Sequence, residues 1–386
     1  METPGQGMDA SGALDGEPFA WYARMRREAP VHIDQEYGAL YVFSYDDAQR
    51  TLSDYAAFSS ARNGGGPGES ALGASIISSD PPRHRQLRNL VTQAFTPRAV
   101  NQLAPRISTI IVDLLDQAGA AGTMDFIEDF AYPLPVIVIA EMLGIPPSER
   151  ARFRRWSDAI VSDTQMSFMQ AQREMADYFG RLIAARRAEP RDDLISHLIA
   201  AEIDGQRLSG IELIGFCVLL LVAGNETTTN LLGNAILCFD EAPESYERLR
   251  AQPELIPSAV EEVLRYRSPV QMMYRAATGA TAIGGVTTYA GQPVVAWIGS
   301  ANRDEAQFPN PDVFDITRTP NRHIAFGHGI HFCLGAPLAR LEARLALEAL
   351  TARYQAVRRV PGAPLRWMDS SIVYGVKALP VTVAPA

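Results

Sequence analysis

Cysteine is scarce in this sequence. Three cysteines, Cys217, Cys238 and Cys333, occur among 386 residues, and none stands close to another. Their spacing matches neither the disulfide framework of a secreted protein nor a zinc site built from paired Cys-x-x-Cys motifs. The sequence therefore predicts a cytoplasmic protein whose cysteines stay reduced.

Long apolar runs are also missing. The longest nearly unbroken run, residues 213–224, falls well short of the roughly 20 residues that cross a bilayer, and it predicts a buried helix instead. Residues 1–20 form a polar leader that lacks the apolar stretch of a signal peptide or a membrane anchor. We expect this leader to be poorly ordered and the protein to have no membrane partner.

Positive charge is in the minority. The chain has 35 basic and 44 acidic residues, which gives a formal net charge of −9. A surface with this balance repels nucleic acid, so nucleic acid is not an expected partner. The motif Gly-x-Gly-x-x-Gly between a strand and a helix is absent too, so the sequence predicts no site for flavin or nicotinamide.

The apolar pattern predicts a mainly α-helical chain with a smaller β-rich part. Residues 82–237 show helical spacing in blocks separated by proline and glycine. Short strands are expected at residues 31–33, 40–43, 372–374 and 380–383, with hairpin strands between 277 and 295. With 47% apolar residues, the sequence suits one large globular domain or two ordinary ones, and we expect a single domain over residues 1–386.

One cysteine stands just before a predicted helix over residues 336–354. It lies in Phe326-Gly-His-Gly-Ile-His331-Phe-Cys333-Leu-Gly335. The glycines let backbone approach a flat ligand, and N–H groups aimed at the sulfur would stabilise the thiolate that a haem iron needs for O–O cleavage. Two other interpretations are a cysteine buried by ordinary packing and a zinc site formed with His328 and His331, for which no fourth ligand is nearby.

A polar stretch interrupts a long predicted helix over residues 209–239. Its centre reads Ala223-Gly-Asn-Glu226-Thr227, followed by two more threonines and an asparagine, which are mostly weak choices for a helix interior. A helix loosened at Gly224 could make room for dioxygen while Glu226 and Thr227 deliver protons. The alternative is that the helix simply reaches water there.

These two motifs together resemble those of the cytochrome P450 superfamily. The haem-binding signature of that family is Phe-Gly-x-Gly-x-His-x-Cys-x-Gly, and its long central helix carries an acid-alcohol pair. The resemblance implies a triangular helical bundle that encloses haem b. It also implies that Cys333 is the axial iron ligand, that Phe326 and Gly335 lie beside the cofactor, and that His331 binds a haem propionate. Glu226 is then the acid and Thr227 the alcohol.

Further segments fit the same family. His84 and Arg88 stand one helical turn apart after a double proline, and Arg275 lies in the strand after Pro269. The resemblance implies that all three contact propionates, although His84 and Arg88 could also form a solvated basic face. It implies that Glu262 and Arg265 are a buried structural pair, completed by Arg303 or Arg318.

The resemblance also implies the reaction and its partners. Two electrons from a ferredoxin and its NAD(P)H-dependent reductase activate O2, and one oxygen atom hydroxylates or epoxidises a largely apolar small molecule. A terpenoid, fatty acid, steroid or polyketide fits, and we expect the enzyme to be a monomer. Substrate contacts are expected from Ile76, Leu220, Ala223, Val270, Met273 and Val373.

Two other functions would keep the haem. A peroxide-driven or rearranging haem-thiolate enzyme often lacks the acid-alcohol pair, so Glu226 and Thr227 argue against it. A haem-based sensor or binding protein would form no product with any electron donor.

Overall fold

A computed structural model describes residues 16–35, 37–61, 73–93, 95–119, 122–161 and 165–386. The leader over residues 1–20, expected to be poorly ordered, lies mostly outside these ranges. The chain is 54% helical with a smaller sheet part, so the prediction of a mainly α-helical chain is confirmed.

The described ranges contain fourteen α-helices. They are α1 (Phe19–Glu28), α2 (Tyr45–Ser53), α3 (Arg83–Thr92), α4 (Pro97–Gln102), α5 (Ala104–Ala118), α6 (Pro133–Met142), α7 (Arg150–Val161), α8 (Gln165–Ala188), α9 (Leu194–Ala200), α10 (Gly210–Glu241), α11 (Pro243–Ala251), α12 (Ile256–Tyr266), α13 (Ile298–Ala301) and α14 (Ala336–Arg353).

The same ranges contain twelve strands. They are β1 (Val31–Ile33), β2 (Leu40–Val42), β3 (Phe58–Ser59), β4 (Thr123–Asp125), β5 (Met272–Ala277), β6 (Ala282–Ile283), β7 (Val286–Thr287), β8 (Pro293–Trp297), β9 (Tyr354–Arg359), β10 (Arg366–Trp367), β11 (Val376–Ala378) and β12 (Pro380–Pro385). The largest sheet has the order β1-β2-β8-β5-β3, and a second sheet has the order β4-β12-β9.

The strands predicted at residues 31–33, 40–43 and 380–383 are present as β1, β2 and β12. The strand predicted at 372–374 is wrong, because only Val373 pairs there, in an isolated bridge with Val270. The hydroxyl of Ser370 accepts hydrogen bonds from the backbone of Ile372 and Val373, which bends the chain at this point. The strand forms later, as β11, and pairs with β10.

The chain divides into two compact units whose segments interleave along the sequence. The first contains the described residues up to Ser59, then 105–133 and 227–386, and the second contains 60–104 and 134–226. Helix α10 contributes to both, because the division falls between Glu226 and Thr227. A single domain over residues 1–386 stays a prediction.

The first unit has an aromatic core beside its largest sheet. The rings of Phe43 and Trp297 stack with centroids 5.8 Å apart, and Trp21 meets Trp297 edge-on at 5.1 Å. Side chains from β2, β5 and β8 fill the adjoining apolar clusters. This packing gives β5, which carries Met273 and Arg275, a rigid support.

Helix α10 has 32 residues, or about 48 Å at 1.5 Å per residue. Within the described ranges it is long and apolar enough to cross a membrane by length and composition alone, a test that core helices also pass. Its centre buries Asn225 and Asn230, and Asn234 is buried farther along. Polar side chains buried in this way indicate a helix of the protein core.

A buried ionic network holds α12 to the segment after β8. The side chains of Glu262 and Arg265 are fully buried and form two hydrogen bonds of 2.8 Å. The Nε of Arg318 lies 3.2 Å from each Glu262 oxygen. Arg303 instead donates to the carbonyl of Tyr266 and to Asp312. Of the two candidate arginines, Arg318 therefore completes the network.

Candidate functional site

The loop that carries Cys333 leads directly into α14. Cys333 is exposed, whereas Cys217 and Cys238 are buried. Burial raises the pKa of both buried thiols to about 12, so neither ionises near neutral pH. The interpretation of Cys333 as a cysteine buried by ordinary packing is therefore wrong.

Glycines shape this loop for two different reasons. Gly327 and Gly329 have φ angles of +74° and +72°, a conformation that other residues rarely adopt. A Cβ on Gly329 would also lie 2.7 Å from the Cα of Ser53 in α2. A Cβ on Gly335 would lie 3.9 Å from the sulfur of Cys333, which places that sulfur close to the N-terminus of α14, where partial positive charge favours an anion.

The backbone closes the loop on itself. The N–H of Cys333 donates to the carbonyl of Phe326 at 2.9 Å, and His331 ends a short 3-10 turn between them. Phe326 is half-buried. The guanidinium carbon of Arg340 lies over its ring, 4.5 Å from the ring centroid. Phe326, His331 and Cys333 are thus brought together in one compact loop.

The zinc interpretation finds no support in the structure. No group of three or more His, Cys, Asp or Glu side chains within the described ranges could hold a metal ion. His328 and His331 both lie in those ranges, so the pair does not form such a site with Cys333.

A carboxyl group is deeply buried in the helix that follows the loop. Glu342 on α14 is 1% exposed, and no hydrogen-bond partner for its Oε2 occurs among the residues that the structure describes. Burial raises the pKa of Glu342 to about 8. The side chain is therefore mostly protonated at neutral pH.

We expect Glu342→Gln to change the pH dependence of stability. The folded state holds this proton up to about pH 8, whereas an unfolded chain releases it near the ordinary value of 4.5, so wild-type stability falls as pH rises through that window. The unfolding free energy of the glutamine variant minus that of the wild type should therefore increase by about 1–3 kcal/mol from about pH 5.5 to about pH 7.5. Urea unfolding of both holoproteins measures this, and a gap that does not change with pH contradicts it.

Four residues predicted near a ligand lie in the first unit. Val270 and Val373 are partners in the isolated bridge, and both are half-buried. Met273 lies on β5 opposite Ala296 and packs partly on the sheet core. Arg275 lies two residues farther along β5, is 7% exposed, and donates to the carbonyl of Tyr274 at 2.8 Å.

The second unit holds the predicted pair on α3. His84 is buried and Arg88 is half-buried. Burial, followed by repulsion from Arg88, lowers the pKa of His84, so the two side chains share one electrostatic environment. An anion beside them would be attracted to Arg88 and would favour the protonated imidazole. Ile76, also predicted to contact substrate, is buried in the 3-10 turn just before this helix.

Arg83 anchors the first turn of α3. It forms an ion pair with Glu212 in the first turn of α10, with its Nε 2.9 Å from the carboxylate. The other oxygen of Glu212 accepts from the backbone N–H of Ser209 at 2.9 Å. This contact joins the helix of His84 and Arg88 to the start of the helix of Glu226.

The centre of α10 has one accessible face. Leu220 and Thr227 are half-buried and Ala223 is exposed, although most of the helix is buried. Their spacing of three and four residues puts them on one side. Glu226 is 6% exposed, and Thr228, Thr229 and Asn230 are buried as well. The alternative that this polar stretch simply reaches water is therefore wrong.

Two of the buried polar residues have structural partners. Thr229 donates to the carbonyl of Ala131 at 3.2 Å. Asn234 donates to the carbonyls of Arg267 and Tyr374 at 2.9 and 3.1 Å. These hydrogen bonds explain Thr229 and Asn234 without assigning them a role in chemistry.

Gly224 is explained by packing, and α10 continues through it without a break. A Cβ at this position would clash with the Cδ1 of Ile139 on α6, the far end of a flexible side chain. Glycine therefore leaves room for the Ile139 side chain, which is a packing reason for this residue beside the one that the sequence suggests.

We expect Gly224→Ala to destabilise the protein by about 1 kcal/mol, because the added methyl group forces the end of the buried Ile139 side chain to turn away. In an Ile139→Val background, which removes Cδ1, the same change should cost nothing or stabilise by up to about 1 kcal/mol, since alanine favours helix over glycine. A double-mutant cycle of unfolding free energies tests this. Equal costs in both backgrounds would show that Ile139 is not the obstacle.

Comparisons with known proteins agree with one another. The family model described as Cytochrome P450 matches residues 150–361. Putative cytochrome P450 YjiB of Bacillus subtilis is 46% identical over 376 residues, which cover 94% of this chain and 93% of the relative. The erythromycin C-12 hydroxylase of Saccharopolyspora erythraea is 42% identical, with 92% and 89% covered.

A solved structure matches over almost the whole chain. CYP109E1 from Bacillus megaterium, in complex with testosterone, superposes with a TM-score of 0.91 at 43% identity. The match covers 99% of this chain and 99% of that one. The two proteins therefore share the same fold.

Proposed function

The chain belongs to the cytochrome P450 superfamily, and from that premise we propose which of its residues hold the cofactor, move protons and contact the substrate. It is an oxidoreductase, a P450 monooxygenase with haem b as cofactor and dioxygen as co-substrate. When bound, haem b supplies the iron that activates dioxygen. The remaining tasks fall to the side chains of the protein.

We propose that the thiolate of Cys333 would hold the haem iron, and its loop is the observation that carries the assignment. The sulfur is exposed, lies close to the N-terminus of α14, and belongs to a loop whose glycines keep side chains away. These features suit a thiolate that meets a flat, bulky group. Phe326 then packs beside the sulfur, and Gly335 leaves the space next to it open.

We propose that haem propionates are held by His84, Arg88, Arg275 and His331. A buried propionate needs cationic or hydrogen-bonding partners. Arg275 is nearly buried, and His84 and Arg88 repel each other's charge. An anion relieves that repulsion, which supports the pair as a propionate site.

We propose that Glu226 and Thr227 deliver protons. Thr227 lies on the accessible face of α10. Glu226, the residue before it, points about 100° away around the helix axis and is largely shielded from water. The alcohol on the accessible face would pass a proton, and the buried acid would replace it. The alcohol and the acid thus stand next to each other in the chain but have different environments.

We propose that the substrate is a largely apolar small molecule that is hydroxylated or epoxidised. The names of the compared proteins include testosterone and erythromycin, so a steroid or a polyketide fits, and a terpenoid or fatty acid has the same apolar character. Leu220, Ala223, Val270, Met273, Val373 and Ile76 would form the contacts. A screen of such compounds for a shift of the Soret band, followed by product identification, tests the proposal.

We further propose that a ferredoxin and an NAD(P)H-dependent reductase supply the electrons to a monomeric, cytoplasmic enzyme, without a nucleic acid or a membrane as partner. Product formed with NADH, ferredoxin and reductase, but not with peroxide alone, would support a monooxygenase. Product with peroxide alone would favour a peroxide-driven enzyme. No product with any donor would favour a haem sensor.

We expect Thr227→Ala to keep NADH consumption and divert it to hydrogen peroxide, because proton delivery is misdirected. Thr228→Ala is the matched control, since the neighbouring threonine is buried on another side of the helix and should leave turnover coupled. The ratio of product to NADH consumed is the measurement. Fully coupled turnover in Thr227→Ala would remove Thr227 from the relay.

A further inference from the structure

Two neighbouring carboxylates of α12 belong to different networks. Glu262 is fully buried with Arg265 and Arg318, in the network that holds the fold. Glu261 is 29% exposed and turns instead toward the helix that follows the cysteine loop. The sequence motif singled out Glu262 and gave no role to Glu261.

Glu261 holds Arg340 of α14 with both of its oxygens. The Nε of Arg340 donates to one oxygen at 2.7 Å, and a terminal nitrogen donates to the other at 2.8 Å. A planar guanidinium bound by two parallel hydrogen bonds has a fixed orientation. Arg340 is therefore held in place, although its side chain is 37% exposed.

His323 buttresses the same carboxylate from inside the protein. Its Nδ1 accepts from the backbone N–H of Ala325 at 3.2 Å, so its proton resides on Nε2. That nitrogen lies 3.1 Å from Glu261 and donates to it. Burial opposes the charge, but the hydrogen bonds from Arg340 and His323 lower the pKa of Glu261 to about 2. Glu261 is thus an anion at all working pH values.

The fixed guanidinium lies over the aromatic ring of the cysteine loop. Arg340 is 4.5 Å from the centroid of the Phe326 ring, within the range of a cation–π contact. Phe326 in turn accepts the backbone hydrogen bond of Cys333 at 2.9 Å. The chain of contacts runs from α12 through Arg340 and Phe326 to the residue that bears the sulfur.

We infer that Glu261 and Arg340 are positioning residues whose charges cancel beside the cysteine loop and thereby keep either charge from shifting the reduction potential of the bound haem. The inference rests on the proposed role of Cys333. One electron from an external donor converts ferric to ferrous iron, so nearby positive charge favours the reduced state and negative charge disfavours it. The intact pair is neutral, and each single substitution would leave one charge uncompensated.

The test is a potentiometric titration of purified holoproteins. Arg340→Gln should lower the potential, because the Glu261 carboxylate is left alone, and Glu261→Gln should raise it, because the guanidinium is left alone. The double variant should return close to the wild type. Both single shifts should shrink at high ionic strength, since the pair is partly exposed.

The matched control is Arg344→Gln on the same helix. Arg344 pairs with Glu348 and its side chain is also 37% exposed, so the substitution removes the same charge from a similar environment. It should leave the potential near that of the wild type. Arg340→Lys retains the positive charge but cannot form the two parallel hydrogen bonds to Glu261, and it replaces the glutamine variant if that variant fails to bind haem. The reduction potential of Arg340→Lys should differ less from the wild-type value than the potential of Glu261→Gln does.

Opposite shifts support the inference. Shifts of the same sign, or shifts no larger than that of Arg344→Gln, would overturn it. A substitution that only loosens the packing around the cysteine loop would shift the potential in a direction that does not depend on the sign of the charge removed. A wild type that binds haem without the red-shifted Soret band of a thiolate in its reduced carbon monoxide complex would reject the proposed function instead, so the two failures are distinguishable.

Discussion

Cys333→His is expected to abolish the strongly red-shifted Soret band that the cytochrome P450 family shows in its reduced carbon monoxide complex. The band depends on a thiolate ligand, and an imidazole donates electrons to the iron in a different way. The other two cysteines cannot replace it, because they are buried and the pKa of each is raised to about 12. The expected loss is complete, and a difference spectrum of the purified variant measures it.

Cys217→Ala and Cys238→Ala provide matched controls for this experiment. Each removes one sulfur from the buried part of α10, where the cost is a small cavity, and should leave the band in place. If Cys333→His retained the band, Cys333 could not be the ligand. If either control lost the band while still binding haem, the assignment to Cys333 would fail as well.

The sequence predicts most reliably the features that depend on local pattern. Helix α10 was expected over residues 209–239 and spans Gly210–Glu241, because its apolar flanks repeat with helical spacing. The cysteine loop was identified by residue types at fixed spacing, and the structure brings Phe326, His331 and Cys333 together as that spacing requires. Neither feature needs a partner far away in the sequence.

Features that depend on distant partners were harder to predict. The helical pattern ran on to Tyr354, but that residue begins β9, because the segment pairs with β12. The choice of Arg318 over Arg303 depends on how the loop after β8 folds back onto α12. The contact of Arg340 with Phe326 likewise joins two segments whose relative placement is set by tertiary packing.

Gly224 in α10 can be explained in two ways, and the sequence indicates only one of them. The sequence suggests a helix loosened to admit a ligand, whereas the structure shows a continuous helix in which glycine leaves room for the Ile139 side chain. Both explanations call for the smallest residue at the same place. Only the position of α6 distinguishes them, and a sequence without tertiary contacts does not contain it.

Glu262→Gln is expected to cost about 3–5 kcal/mol of folding stability, the usual cost of breaking a buried ion pair from one side. Glu262 accepts hydrogen bonds from Arg265, Arg318 and Asn321 and from the backbone N–H of Asp315. The neutral amide would leave two cations close together and Arg265 fully buried without its counter-charge. We therefore expect low yields of haem-loaded protein, measured by the ratio of Soret to protein absorbance.

Glu348→Gln makes the same chemical change in an exposed pair and should cost under about 1 kcal/mol. The contrast isolates burial, because both glutamates face an arginine at 2.7–2.8 Å. Arg265→Met should be as damaging as Glu262→Gln, because Arg318 would be the one arginine left to pair with the Glu262 carboxylate. The substitution would also remove the hydrogen bonds that Arg265 donates to the carbonyls of Asn302 and Pro311. If Glu262→Gln folded and bound haem as well as Glu348→Gln, the network would not be what holds α12 to the segment after β8.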